Sequence, residues 1–291
     1  MNGASAILTS TLVLGGLYLL MAAGLTLIWS TLRVFNFGHG ALLMFGAYLS
    51  WTLLDRAGLP LLPALIGGVL AMALIGVVYE FLLVSPFIRR PNGDMLVMVA
   101  TLAATMLLQS AALLLWGPEI KQLPPLGSAR IELGGSVVQG TQLVTIVLAP
   151  VLVGLLALAL RRTGIGLTVR ALEQNREHAQ LLGISPRRVY LFVVTVAIGL
   201  AAVAGVLLGS MRFISPLMGD DPLLRAFVVL AFGGAGSLGG TIAGAYAIGL
   251  LEAVTTYYFG LSWSPVLVFL AMIVIMLARP EGLLRNQVRS A

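Results

Sequence analysis

Apolar residues fall along this chain in long continuous blocks separated by short polar breaks, with little alternation inside any block. A helix rising about 1.5 Å per residue needs about 20 such residues to cross roughly 30 Å of hydrocarbon, and the blocks have that length. They predict spans at residues 6–28, 37–54, 61–84, 95–116, 142–160, 189–210, 223–238, 241–259 and 263–279. Only the connections 117–141 and 161–188 are long enough to carry structure of their own. The expected fold class is all-α, a polytopic membrane helix bundle of eight or nine spans forming one domain over residues 1–291. The opening Met-Asn-Gly-Ala-Ser has no positive region ahead of its apolar run, so the first block is expected to be a retained helix, not a signal peptide.

The uncertain block is 223–238. Gly233, Gly234, Gly236, Gly239 and Gly240 interrupt the apolar run. Irregular backbone at membrane depth is tolerated only where protein or a watery cavity satisfies its polar groups. A re-entrant segment here gives eight spans instead of nine and moves the N-terminus to the other side.

Composition removes the soluble alternatives. The 291 residues are 59% hydrophobic and 10% charged, with a mean hydropathy of +1.03, whereas a soluble domain is about one quarter charged. With no cysteine and 2 histidines, thiol chemistry is excluded and a metal centre is not expected. The net charge of +6 reads as a topology signal and not as a nucleic-acid surface. If 161–188 is cytoplasmic, 12 of the 17 positive residues lie inside: Arg33, Arg89, Arg90, Arg161, Arg162, Arg170, Arg176, Arg187, Arg188, Arg279, Arg285 and Arg289. Arg56, Lys121, Arg130, Arg212 and Arg225 then lie outside, and the C-terminus is inside.

Two glycine-rich breaks resemble each other. Asn36-Phe37-Gly38-His39-Gly40 precedes Gly46-Ala47-Tyr48, and Gly233-Gly234-Ala235-Gly236-Ser237-Leu238-Gly239-Gly240 precedes Gly244-Ala245-Tyr246. An internal duplication with both helices running the same way is one reading, since transporters are often built from repeats with discontinuous helices. Close packing of small residues in membrane helices is the other.

The 161–188 loop is much more polar than the rest. Thr168 is placed to cap a helix in which Val169, Leu172, Ala179 and Leu182 share an apolar face and Arg170, Glu173, Gln174, Arg176 and Glu177 lie elsewhere. Gly183 supplies a left-handed stop, and Ser185-Pro186 opens the next helix. This is a short amphipathic helix, either a rigid docking element or one lying in the headgroups.

Arg170-Ala171-Leu172-Glu173-Gln174-Asn175, then Ala179 and Leu181-Leu182-Gly183-Ile184, resembles the cytoplasmic coupling loop of the permease subunits of branched-chain amino acid ABC transporters. Gly24-Leu25-Thr26-Leu27-Ile28 followed by Asn36-Phe37-Gly38-His39-Gly40 is similar to the same family's N-terminal signature, with Gly38 where alanine is expected. The block Phe232–Gly240 with Gly244-Ala245, and Arg279-Pro280-Glu281-Gly282-Leu283, extend the resemblance along the whole chain.

The resemblance implies a permease subunit of an importer in the bacterial inner membrane. It implies a second permease subunit, two ATPase subunits and a periplasmic substrate-binding protein as partners, with the lipid bilayer as surroundings. It assigns Arg170, Glu173, Gln174, Asn175, Ala179, Leu182, Gly183 and Ile184 to ATPase coupling. No Gly-x-x-x-x-Gly-Lys-Ser/Thr occurs, and the lone lysine, Lys121, falls in the expected external loop. ATP is therefore expected on the partner subunits, with no cofactor bound by this chain and no enzymatic activity of its own.

For the translocation pathway the expected residues are Asn36, Phe37, Gly38, His39, Gly40, Gly233, Gly234, Gly236 and Glu252. Glu252 lies deep in an apolar block with no charged neighbour in its own helix, so it is either a pathway group or a polar lock between helices. Asn36 is placed to cap a helix starting at Phe37. Glu132, in an expected hairpin turning at Gly134-Gly135, and Asp220 and Asp221 are expected to meet the binding protein. An ion-coupled secondary transporter remains the alternative, as does a permease for another small solute such as urea or short amides.

Overall fold

The computed structural model describes residues 3–127, 129–133, 136–234 and 236–279. The chain begins with α1 (Gly3–Leu32), α2 (His39–Asp55), α3 (Leu61–Tyr79, continued by a π turn over Glu80–Val84) and α4 (Gly93–Trp116). A two-stranded hairpin, β1 (Arg130–Leu133) and β2 (Ser136–Gln139), leads into α5 (Gly140–Arg162). Two short helices, α6 (Gly164–Gln174) and α7 (Arg176–Leu181), precede α8 (Pro186–Met211). The chain continues through α9 (Asp220–Gly233), α10 (Leu238–Phe259) and α11 (Ser264–Ala278). The all-α expectation holds apart from the hairpin, whose register pairs Leu133 with Ser136. Its expected Gly134-Gly135 turn lies outside the described residues.

Every apolar block became a helix, yet seven of the described helices are long and apolar enough to cross a membrane, not eight or nine. The exceptions are α2 and α9, with 17 and 14 residues. Each follows a stretch of irregular backbone, 33–38 before α2 and 212–219 before α9. Arg33 ends α1 in the left-handed region at φ +60°.

Helix α4 serves as a ruler for depth, since its 24 residues span about 36 Å at 1.5 Å per residue. Thr101 and Thr105, near its middle, hold the Phe37 backbone. Gln109, further along, donates to Asp220 Oδ1 at 2.8 Å. Trp116, at the far end, donates to Thr52 Oγ1 at 2.6 Å. Helices α2 and α9 therefore both begin inside the bundle. Their N-termini meet there, where a Cβ on Gly219 would overlap the Gly40 carbonyl oxygen.

The two halves correspond with inverted direction. Each has a long buried helix (α1 or α8), an extended segment, a short helix (α2 or α9), a long helix (α3 or α10) and a peripheral one (α4 or α11). The contacts match pairwise: α2 with α3 as α9 with α10, α1 with α10 as α8 with α3, and α2 with α4 as α9 with α11. The counterpart of α2 is thus α9 and not α10, which corrects the duplication suggested by the Gly-Ala-Tyr units. Those units mark close packing instead: a Cβ on Gly46 would meet Ala202, and one on Gly244 would meet the Val229 carbonyl.

Helix α1 forms the centre, 89% buried over its apolar window against 11% for the last span. It is apolar on all faces because protein surrounds it on all faces, whereas α3, α4, α5 and α11 turn large apolar side chains outward. One end of the bundle gathers arginines. Arg33 and Arg170 lie near Glu173, Arg89 and Arg187 near Glu80, and Arg176 over the Tyr190 ring. This is the distribution expected of a cytoplasmic end.

Candidate functional site

Glu252, which the sequence left without a charged neighbour, is 2% exposed and paired. Arg225 Nε donates to its Oε2 at 2.8 Å, and the Tyr18 hydroxyl donates to the same oxygen at 2.6 Å. Arg225 also pairs with Asp221 one turn earlier on α9. The sequence had placed Arg225 on the outer side, at the start of the 223–238 block. Instead it is buried on α9, because that helix starts inside the bundle and carries its first turns among protein side chains. Asp220 and Asp221 form that first turn, where the helix N-terminus favours negative charge. Their partners, Gln109 and Arg225, lie within the bundle rather than on an outer rim.

Two cavities adjoin this cluster. A water-sized space of about 30 Å³ is lined by Tyr18, Asp221, Arg225 and Glu252. A second, of about 650 Å³, lies among the N-terminal half of α1, the start of α5, the end of α8 and the second half of α10. Glu252 and Arg212 line both. The larger cavity is at the end of the bundle opposite the arginine-rich one.

The other expected pathway residues do not join them. Asn36 Oδ1 accepts from the Tyr79 hydroxyl at 2.7 Å and from Gly38 N at 3.0 Å. It thus folds the chain before α2 and does not cap a helix at Phe37; the helix starts at His39. The Phe37 N–H donates to Thr101 Oγ1 at 3.2 Å and its carbonyl accepts from Thr105 Oγ1 at 3.1 Å, so protein hydroxyls satisfy this irregular backbone. The Tyr79 hydroxyl occupies the space a side chain on Gly38 would need, and Gly40 is pressed against Gly219. His39 is fully buried against Gly24 and faces the Met21 backbone; it lines neither cavity. Gly233 packs on Gly240 where α9 turns into α10, with Gly234 at φ +91° and Gly236 at φ +99°. These glycines close a turn beside Ser30, at the arginine-rich end.

At that end the 161–188 segment forms two helices, not one. Thr163 is the cap of α6, its Oγ1 accepting from Gly166 N at 3.2 Å, while Thr168 lies inside the helix and donates to the Ile165 carbonyl. Asn175 breaks the run because its Oδ1 accepts from Glu177 N and His178 N, which starts α7. Gly183 has φ +79°, the expected left-handed stop, and the Ile184 N–H reaches back to the Ala179 carbonyl.

Val169, Leu172 and Ala179 face inward, whereas Ile165, Leu167, Leu181 and Leu182 are exposed, Leu182 by 80%. Leu182 is therefore not part of the inward face. Gln174 is exposed at the end of α6. Arg170 donates to the Leu160 carbonyl, which ties α6 back to α5. The Ser30 hydroxyl donates to Glu173 Oε1, joining α6 to the end of α1. Burial pushes the Glu173 carboxyl above its ordinary range, opposed by the Ser30 hydroxyl and by Arg33 and Arg170. Ser30 carried no sequence signal, since a serine near a helix end is unremarkable until its partner is known. Glu132, on β1, is exposed opposite Val137.

Comparison with known proteins gives a consistent result. The model of the permease component of branched-chain amino acid transport systems matches residues 7–277. The high-affinity branched-chain amino acid transport system permease protein BraD of Pseudomonas aeruginosa is 28% identical, covering 95% of this chain and 94% of that one. The permease protein LivH of the corresponding Escherichia coli system is 27% identical over 93% of this chain and 92% of its own length. A probable branched-chain amino acid transport permease protein LivH of Methanocaldococcus jannaschii is 31% identical over 97% and 92%.

Proposed function

Because this chain belongs to the family of permease components of branched-chain amino acid transport systems, we propose that it is the membrane-spanning subunit of an ABC importer for branched-chain or related small amino acids. The family match along the whole bundle, from residue 7 to residue 277, carries this reading. The chain is a multi-pass membrane protein. It works in the cytoplasmic membrane beside a second permease subunit, identical or related, and a periplasmic binding protein. Two ATPase subunits bind and hydrolyse the ATP, and this chain holds no cofactor.

The arginine-rich end faces the cytoplasm, and α6 and α7 there receive the ATPase. Four exposed apolar side chains, Ile165, Leu167, Leu181 and Leu182, lie on an otherwise polar element, as a protein contact requires. Residues 170–184 carry the contact or shape it. Motion of α6 is passed through Glu173 to Ser30 and along α1, whose Tyr18 lies about 18 Å further on at 1.5 Å per residue and binds Glu252. Motion of α7 passes directly into α8 through Ser185 and Pro186. The pathway thereby alternates between its two open states.

The pairing of Glu252 favours this reading over an ion-coupled carrier. A coupling carboxylate must exchange a proton or cation, and Glu252 is held by both Arg225 and Tyr18. Glu132 and the hairpin, at the other end, meet the binding protein. The reading is tested by leucine uptake into proteoliposomes that contain the permease pair and ATPases. Uptake that requires both ATP and the binding protein supports it; uptake driven by an ion gradient without ATP refutes it.

A further inference from the structure

A groove of about 260 Å³ lies on the outward wall of the bundle, between the end of α3 and the start of α8. Val77, Val78, Phe81, Leu82 and Leu191 form its apolar walls, and Glu80 and Arg187 are its polar members. It falls within the last two turns of the 24-residue span Leu61–Val84, whose apolar window is 28% buried, so most of that helix faces hydrocarbon. Val77, Val78, Phe81 and Leu82 are themselves exposed. The groove coincides with the π turn over Glu80–Val84, where the helix is locally widened. Arg187 belongs to the first turn of α8, at the arginine-rich end, and its guanidinium lies 5.3 Å from the centroid of the Phe81 ring. It forms no ion pair among the described residues. Arg187 and Arg89 both act on the buried Glu80 carboxylate, so two cations face one anion, and Arg188 adds a further positive charge beside them.

We propose that this groove is a binding site for an anionic phospholipid of the cytoplasmic leaflet, such as phosphatidylglycerol, with an acyl chain against the valine–leucine–phenylalanine walls and the phosphate on Arg187. An apolar groove open to the bilayer is filled by hydrocarbon, and a basic residue at its cytoplasmic end selects the headgroup. Guanidinium matches phosphate through parallel N–H bonds, which a lysine does not reproduce. The positive charge left over once Glu80 is matched favours a lipid of net negative charge over a zwitterionic one. A small soluble anion would leave the apolar walls uncovered. A protein partner on this face would have to bring its own carboxylate to membrane depth to match Arg187, a cost that a lipid phosphate already at the interface does not carry. A lipid seated on both helices ties the start of α8 to the end of α3, and Ser185 and Pro186 join that turn of α8 to α7. The cytoplasmic placement, and the consequence that the lipid stiffens the helix through which ATPase motion enters, rest on the importer reading; the groove and its charge do not.

The test is photolabelling of the purified permease complex in phosphatidylcholine nanodiscs that carry a trace of phosphatidylglycerol or phosphatidylcholine with a diazirine on the acyl chain, followed by mapping of the labelled peptides by mass spectrometry. The proposal expects residues 77–82 and 191 to take up the phosphatidylglycerol probe at least about fivefold more than the phosphatidylcholine probe, the preference that one arginine near a membrane surface provides. Arg187 and Val78 are both exposed, so substitutions there leave the fold intact. Arg187→Gln should remove most of the preference and Arg187→Lys should keep part of it. Arg162→Gln, at an exposed arginine of the same end but outside the groove, should leave it unchanged. Val78→Trp, which fills the groove, should lower labelling there by either probe. Equal labelling by the two probes, a preference lost as fully in Arg162→Gln as in Arg187→Gln, or complete competition by excess glycerol 3-phosphate, the headgroup without a chain, overturns the proposal. So does the absence of label at 77–82 in a complex whose other outward helices are labelled, the result expected if a second subunit covers this face. Labelling needs neither ATP nor the binding protein, so failure of ATP-dependent uptake overturns the importer reading and leaves the labelling result to decide the groove.

Discussion

Arg225 on α9 and Glu252 on α10 are joined by a hydrogen-bonded ion pair of 2.8 Å inside a membrane bundle, and Tyr18 fixes the same carboxylate oxygen from α1. The three helices are thereby locked at one level. Removing one member of a buried pair leaves an uncompensated charge and costs about 3–5 kcal/mol, whereas replacing both by apolar residues is often neutral for folding. Glu252→Ala is therefore expected to lower the thermal transition of the purified protein strongly. The double substitution Arg225→Met with Glu252→Met should recover most of that stability without recovering uptake. Thermal unfolding in detergent, followed by tryptophan fluorescence, measures the first; proteoliposome uptake measures the second.

The contact between Gly40 and Gly219 sets the separation of the two short helices. A methyl group on either would overlap the backbone of the other, which cannot move without shifting a helix N-terminus. Gly219→Ala is expected to destabilise the protein by about 1–3 kcal/mol, the usual cost of overpacking. Gly154, in the middle of α5 with open space around its Cβ position, is the control. Alanine there should be neutral or stabilising by about 0.5–1 kcal/mol, because it removes helix-interior glycine. Equal effects at the two positions would contradict the packing assigned here.

Glu173 gives a pH dependence. Its carboxyl is raised by burial, so between the ordinary glutamate value and the raised one the folded state binds more protons than the unfolded state. Stability contributed by this group is therefore present at low pH and declines as pH rises through the raised value. Glu173→Gln, which preserves an acceptor for Ser30, should flatten that part of the curve and lie above the wild type at neutral pH. Thermal transitions of the two proteins between about pH 4.5 and 7 test this, and parallel curves would exclude Glu173 as the titrating group.

The helices were legible in the sequence because a bilayer enforces long apolar blocks, and all nine blocks correspond to helices. Their depth was less so. The breaks before α2 and α9 were visible as gaps between blocks, but nothing in 33–38 or 212–219 says that they lie inside protein, since Asn36, Thr101 and Thr105 act only once the chain has folded. The same limit applied to Arg225. Counted along the chain, it opens the 223–238 block just after Asp220 and Asp221 and was placed on the outer side; only the buried start of α9 brings it to Glu252. Glu252 itself was visible, because a carboxylate in an apolar block has few explanations. Thr168 was misread as a cap because a threonine preceding an apolar stripe is the usual signal, and Thr163, five positions earlier, offers the same chemistry. His39 is fully buried, and the glycines on either side of it serve close packing, which a histidine between two glycines does not reveal in the sequence.

The account as a whole rests on α6 and α7 docking a separate ATPase. The direct measurement is co-purification from detergent-solubilised native membranes, comparing the wild type with a variant carrying Leu181→Asp and Leu182→Asp. Both side chains are more than three-quarters exposed, so the charges leave the bundle intact. The account predicts a stoichiometric ATPase with the wild type and with Gly154→Ala, lost in the double variant. A wild type that carries no ATPase, or a double variant that retains it fully, would contradict the account.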